Sequence, residues 1–314
     1  MIGIKCVASF IPHTAIDNLA QAARFDEGPD FIDSKIGSRV LPRKAVEMET
    51  SDMACAAVEA LFTKCPQLVS EEVEALVVVT QNGDGEGLPH TAAIVQHKLG
   101  LSKSIAAFDI SLGCSGYVYG LYILKGMMEA AGLRNAILIT ADPYSKIVDA
   151  SDRVTTLLFG DAATATWLGS EAEWVLDKVL FGTDGGGASH LQKADGLLSM
   201  NGRQVFNFAS LRIPPHIKEL LEFAALDESD VDSYCLHQGS MAILDGISRR
   251  FPRVMDRFVK DMAGVGNTVS SSIPLLLEKH LFSSMWRNVV ISGFGVGLSW
   301  ASAILKKQVN EDGK

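Results

Sequence analysis

The chain echoes itself, and the echo limits its fold more than any other feature. Val73-Glu-Ala-Leu-Val-Val-Val79 resembles Val231-Asp-Ser-Tyr-Cys-Leu-His237, and each follows an acidic approach, Ser70-Glu-Glu and Glu228-Ser-Asp. Arg134-Asn-Ala-Ile-Leu-Ile139 resembles Arg287-Asn-Val-Val-Ile-Ser292. Counting back 20 residues from each Arg-Asn pair lands on Cys114 and on Asn267. Each has a glycine before it and a small polar residue after it. Two matched pairs in the same order, with one interval shared, point to an internal duplication. Its halves are residues 1–168 and 169–314.

Within each half, strand-like runs alternate with helical patterns, as in α/β proteins. Ala75–Val79 and Ala136–Thr140 are short, apolar and β-branched, like strands buried on both faces. Residues 114–131 are apolar nearly all round, which predicts an interior helix. If the halves pack around a pseudo-twofold axis, the helix starts at Cys114 and Asn267 face one central site. His237 ends a strand beside it.

Phe108-Asp-Ile-Ser-Leu-Gly-Cys114-Ser-Gly reads as a strand end, a tight turn and a helix start. Unpaired N–H groups at a helix start favour negative charge. That field is expected to lower the thiol pKa, and the thiolate is the nucleophile. Taken singly, each residue has a plainer role. A free cysteine packs as a small hydrophobe, a buried histidine sits satisfied in a core, and Asn267 caps a helix. The duplication is what gathers the three. Cys114 could then hold an acyl group as a thioester. His237 Nε2 and the Asn267 amide, aimed at one oxygen, would form an oxyanion hole. That suits the enolate left when a malonyl thioester loses carbon dioxide. A second hole could use the N–H of Cys114 and one from Gly293-Phe-Gly-Val-Gly-Leu-Ser-Trp300, whose three glycines admit close backbone approach.

A net charge of −9 argues against an extended nucleic-acid or anionic-membrane footprint. No apolar run approaches the length that spans a bilayer. The N-terminus opens on a strand-like run, Ile2–Phe10, without the pattern of a cleaved leader. The five cysteines contain no C-x-x-C pair, so neither a zinc site nor a disulfide framework is expected, and the reading is a reducing cytoplasm. Gly182-Thr-Asp-Gly-Gly-Gly-Ala-Ser-His190 opens a long segment ending near Phe208, expected to run over the surface as a lid. Arg249, Arg250, Arg253 and Arg257 form either a solvated helix face or a patch for an acidic partner.

At these residues the chain resembles the β-ketoacyl-acyl-carrier-protein synthase III family of the thiolase superfamily. Phe108-Asp-Ile, Cys114-Ser-Gly, Asp152-Arg153, Phe159-Gly-Asp161, His237-Gln238, Gly266-Asn-Thr, Ser272-Ile-Pro274 and Gly293–Trp300 match in order over nearly the whole chain. The resemblance implies an α/β, thiolase-like, internally duplicated fold layered α-β-α-β-α, and a homodimer. It implies a decarboxylating Claisen condensation in two stages. An acyl group passes from coenzyme A to Cys114, and a malonyl thioester, on acyl carrier protein or coenzyme A, then decarboxylates and attacks it. No cofactor or metal is implied, because coenzyme A enters as a substrate thioester.

The family's catalytic Cys, His and Asn fall on Cys114, His237 and Asn267. Its second oxyanion N–H falls on Val296, where the family usually has Gly. The adenine of coenzyme A would lie between Phe31, where the family has Trp, and Arg153. Lys35 replaces a phosphate-binding Arg and loses bidentate binding. The acyl pocket falls on Phe159 and on Leu88, the latter reaching into a partner subunit where Phe is frequent. Two basic positions that dock the carrier in some members fall on Asn207 and Ala242. These departures leave a second reading open, in which Cys114 passes its acyl group to a small-molecule nucleophile in specialised metabolism. A third reading, a catalytically silent partner subunit, is opposed by the intact Cys, His and Asn. Thiolases fit less well, since no second cysteine follows Cys235. Elongating synthases carry a second His where this chain has Asn267.

Overall fold

The computed structural model describes residues 1–308. Among them, nine strands form one mixed sheet. In chain order these are β1 (Gly3–Phe10), β2 (Ala75–Val79), β3 (Ala106–Ile110), β4 (Asn135–Ala141), β5 (Ala163–Gly169), β6 (Trp174–Thr183), β7 (Ser233–Leu236), β8 (Asn288–Gly295) and β9 (Ser299–Lys307). The helices that matter for the site are α1 (Thr50–Lys64), α2 (Thr91–Lys98), α3 (Gly116–Ala131), α4 (Gly202–Phe223), α5 (Met241–Ser248) and α6 (Ser272–His280).

The sheet runs β7-β8-β9-β6-β1-β5-β4-β2-β3. Its two arms repeat one pairing scheme. On one side β1 pairs antiparallel with β5, β5 antiparallel with β4, and β4 parallel with β2. On the other, β6 pairs antiparallel with β9, β9 antiparallel with β8, and β8 parallel with β7. The arms join where Gly3 and Ile4 of β1 meet β6. β3 extends the first arm alone and leaves an edge.

The sequence echo has a hydrogen-bond counterpart. Glu74 Oε2 accepts from the backbone N–H groups of Arg134 (2.5 Å) and Asn135 (3.1 Å). Asp232 Oδ2 accepts from those of Arg287 (2.6 Å) and Asn288 (2.9 Å). One acidic residue just before β2 and one just before β7 thus anchor the start of the parallel neighbour, β4 or β8, in each half.

Apolar side chains separate into the interfaces of five layers. One cluster joins α1 and α2 to the first arm through Met53, Leu61 and Val95. A central one packs α3 and α6 between the arms through Leu121, Leu124, Ile273 and Leu277. A third joins α4 and α5 to the second arm through Ile217, Leu220 and Leu244. β2 is buried at every position, as a parallel strand covered on both faces must be. The inward face of α3 is fully buried, but Ile123 on its other face is 43% exposed, so the helix is interior on one side only.

One expectation changes. Cys6 on β1 and Cys65, at the C-terminus of α1, are joined as a disulfide, contrary to the reading that the cysteines form none. Spacing could not reveal a pair 59 residues apart, which meets only because α1 packs on β1. Cys55, Cys114 and Cys235 are free and buried. The stretch from Gly182 to Phe208 is an ordered cover: a turn at Gly185–His190, a hairpin of Leu191–Ala194 with Leu197–Met200, and the start of α4. No helix among the described residues is long and apolar enough to cross a membrane.

Candidate active site

One cavity of about 340 Å³ is lined by Cys114, His237 and Asn267 together. Cys114 sits just before α3, Asn267 a few residues before α6, and His237 just after β7. The two halves interlock here. Asn267 donates its backbone N–H to Leu158 O (3.0 Å), and Gly160 donates to Asn267 O (3.0 Å). This short bridge holds Phe159 in the cavity wall beside Asn267. A Cβ on Gly160 would lie 2.0 Å from Val265 O, which explains the glycine of Phe159-Gly-Asp161. Asp161 is structural, accepting from the Lys44 N–H and the Ser145 hydroxyl.

Cys114 is 5% exposed. A Cβ on Gly295 would stand 3.0 Å from its Sγ, so the C-terminal glycine run leaves the thiol its space. Burial pushes this thiol well above its ordinary pKa, and the charge of Asp142 pushes it further. The lowering expected from the helix start meets an opposing cost: α3 begins two residues on, at Gly116, and loss of water disfavours the thiolate.

Asp142 had no sequence signal beyond its place at a strand end. Its Oδ1 accepts from the Gln81 N–H (3.2 Å) and from Asn82 Nδ2 (2.8 Å), while Oδ2 is buried without a partner. Burial raises its pKa to about 7. Tyr144, whose hydroxyl donates to Gln81 Oε1 (3.4 Å), is pushed up by burial first and by the charge of Asp142 after it.

His237 lies at the cavity wall with Nδ1 2.7 Å from Ser272 Oγ. Burial lowers its pKa to about 3, opposed by the Val269 carbonyl facing the ring, so the imidazole is neutral at physiological pH. Asn267 Oδ1 accepts from the Val269 N–H (2.9 Å), capping the turn at Val269–Ser271. Its Nδ2 donates to Gly239 O (3.3 Å) and keeps a second N–H for the cavity. The cap and the free donor thus occupy different atoms of one side chain. Val269 has φ +53°, a left-handed backbone that β-branched residues rarely adopt. Strain of this kind persists where surrounding contacts over-determine the chain.

The remaining candidates divide. Arg153 stacks over the Phe31 ring at 5.5 Å and pairs with Glu27, and Phe31 and Lys35 line the cavity. Val296 packs beside that group, next after Gly295 at the thiol. Leu88 is 91% exposed and touches no part of the cavity of its own chain. Ala242 lines the cavity, whereas Asn207 lines a separate groove near His190 and Arg212. The arginines expected on a helix face instead follow the end of α5 at Ser248, in turns, and three are engaged: Arg249 with Asp245, Arg253 with Asp227 and Glu228, and Arg257 with the carbonyls of Ser229 and Val231.

A duplicated five-layer α/β fold, closed around a buried cysteine at a helix start, defines a thiolase-fold acyltransferase. Comparisons with known proteins narrow the class. The family described as 3-Oxoacyl-[acyl-carrier-protein (ACP)] synthase III matches residues 108–185, and its C-terminal part matches residues 221–307. A β-ketoacyl-[acyl-carrier-protein] synthase III of Deinococcus deserti is 33% identical over 97% of this chain and 91% of its own length. The solved β-ketoacyl-[acyl-carrier-protein] synthase III of Thermus thermophilus superposes with a TM-score of 0.90 at 31% identity, covering 98% of this chain and 99% of that one. A priming β-ketosynthase of the R1128 polyketide pathway superposes with a TM-score of 0.87 at 25% identity, covering 98% and 97%. The chain belongs to the 3-oxoacyl-[acyl-carrier-protein] synthase III family.

Proposed function

We propose that this protein condenses an acyl-CoA with malonyl-acyl-carrier-protein, releasing carbon dioxide and giving a 3-oxoacyl thioester. The observation that carries the reading is the convergence of a thiol, a neutral histidine and an asparagine N–H on one largely apolar cavity. Cys114 attacks the acyl-CoA carbonyl, and its proton leaves with the coenzyme A thiol. The N–H groups of Cys114 and Val296 stabilise the oxygen of each tetrahedral intermediate. The malonyl thioester then occupies the same cavity. Its carboxylate departs as carbon dioxide, and the enolate oxygen is held by His237 Nε2–H and Asn267 Nδ2–H. One such donor lowers a barrier by about 3–4 kcal/mol. The enolate carbon attacks the acyl carbonyl, and Cys114 leaves as a thiolate that takes up a proton from solvent. The apolar walls exclude water that would hydrolyse the acyl-cysteine.

Phe31, Arg153 and Lys35 hold coenzyme A at the cavity mouth, Arg153 leaving Glu27 as the adenine enters. No cofactor is required. Two chains pair along the exposed edge of β3, and Leu88 completes the partner's acyl pocket, joined by the exposed apolar side chains Ile123 and Phe181 in the interface.

The test is intact-protein mass spectrometry with a panel of acyl-CoA thioesters, followed by malonyl-acyl-carrier-protein. An acyl adduct on Cys114, discharged with release of carbon dioxide, is expected. An adduct discharged without malonyl thioester favours transfer to a small-molecule nucleophile. Asn207 and the engaged arginines of the 249–257 segment give that second reading its footing.

A further inference from the structure

His237 can serve as a neutral donor only if its single proton sits on Nε2. The structure shows what surrounds the other nitrogen. Nδ1 faces the hydroxyl of Ser272 at 2.7 Å, and the Val269 carbonyl also faces the ring. A carbonyl can only accept. Left alone with it, the ring would place its proton on Nδ1 and turn a bare Nε2 to the cavity. The hydroxyl can donate to Nδ1 and reverse that choice.

We propose that Ser272, the first residue of α6, is a positioning residue that holds His237 in the tautomer protonated at Nε2 by donating its hydroxyl to Nδ1. Ser272 is 2% exposed, so no water competes for the bond. Its hydroxyl has a second acceptor, Val269 O at 3.0 Å, but the contact with Nδ1 is the shorter. The left-handed backbone at Val269 makes one turn serve both donors. The Val269 N–H orients the Asn267 amide, and its carbonyl is the rival that Ser272 must outcompete. The proposal rests on the enolate reading given above. It adds that this helix start sets the direction of the histidine dipole, in the way a hydrogen bond to one ring nitrogen fixes the role of the other.

The test reads the tautomer and the two half-reactions separately. In ¹⁵N spectra of histidine-labelled protein, assigned by the signal lost in His237→Gln, the wild type is expected to show a protonated Nε2 and a bare Nδ1. Ser272→Ala is expected to reverse the two. It should slow carbon dioxide release from malonyl-acyl-carrier-protein by about 10²-fold, the scale of one lost oxyanion donor, while the acyl adduct on Cys114 still forms. Ser272→Thr, which keeps the hydroxyl, should restore the Nε2–H signal and release to within about tenfold of wild type. A wild-type His237 protonated at Nδ1, or a Ser272→Ala protein with unchanged tautomer and unchanged release, overturns the proposal. Failure of the condensation reading shows differently: the wild type would release no carbon dioxide, while the spectra would still report on Ser272.

Discussion

The helix starts at α3 and α6 occupy corresponding places in the two halves, yet their surroundings differ, as the opposite tasks proposed for them require. Cys114, before α3, is a lone thiol with few polar contacts, set above a buried carboxyl and given room by Gly295. Asn267, before α6, is held at both ends of its amide, its oxygen accepting from the Val269 N–H and one N–H given to Gly239 O, with the other left to the cavity. His237 beside it is held by Ser272. A nucleophile must form and break a bond, so it is left free to move. A donor pair gains by being fixed before charge develops, so it is braced. The two corresponding positions reach one cavity, and the proposed mechanism gives covalent work to one and electrostatic work to the other.

The sharpest way to break this contrast is to remove the thiol. Cys114→Ala should abolish the acyl adduct and lower condensation by at least ~10³-fold with an unchanged thermal midpoint. Residual condensation near the wild-type rate would show that the first helix start carries no chemistry. Next in size, His237→Ala should lower carbon dioxide release by about 10²–10³-fold and leave acylation of Cys114 nearly intact. Parallel loss of both half-reactions would merge the two regions into one function.

A third variant separates the electrostatics under the thiol. Asp142 has its folded pKa raised to about 7 from 3.8, so its protonation favours the fold. That contribution is full below about pH 4 and is lost as pH rises through 7. His237 acts oppositely: its folded pKa of about 3, below the usual 6.5, makes stability fall as pH drops below 6.5. Asp142→Asn should therefore raise the thermal midpoint most at pH 7–8 and leave it unchanged near pH 4. It should also speed alkylation of Cys114 at pH 8 by up to about tenfold, by removing a negative charge beside the thiol. Smallest of all, Phe31→Ala should raise KM for acyl-CoA about 2–5-fold through the lost stacking, with kcat unchanged.

What the sequence revealed, and what it hid, follows from the range of the signals. The acidic residues before β2 and β7 and the Arg-Asn pairs lie in local runs, so the duplication was legible, down to the anchoring by Glu74 and Asp232. Cys114, His237 and Asn267 were legible as candidates because that repeat aligned them. The pairing of Cys6 with Cys65 was not, because it depends on packing between distant segments. Nor was the burial that pushes the Cys114 thiol up, since burial is a property of the whole fold. Asp142 gave no pattern, and the serines after Asn267 were visible only as a motif until the backbone of Val269 placed Ser272 against His237. Leu88, read as an acyl-pocket residue, stands exposed and away from the cavity of its own chain.

The division of labour is tested most directly by time-resolved intact mass spectrometry of Asn267→Ala, charged with acyl-CoA and then mixed with malonyl-acyl-carrier-protein. The acyl group should load onto Cys114 at close to the wild-type rate and then persist, because the enolate that would remove it no longer forms efficiently. An adduct that never forms, or one discharged as fast as in the wild type, would contradict the assignment of separate tasks to the two helix starts.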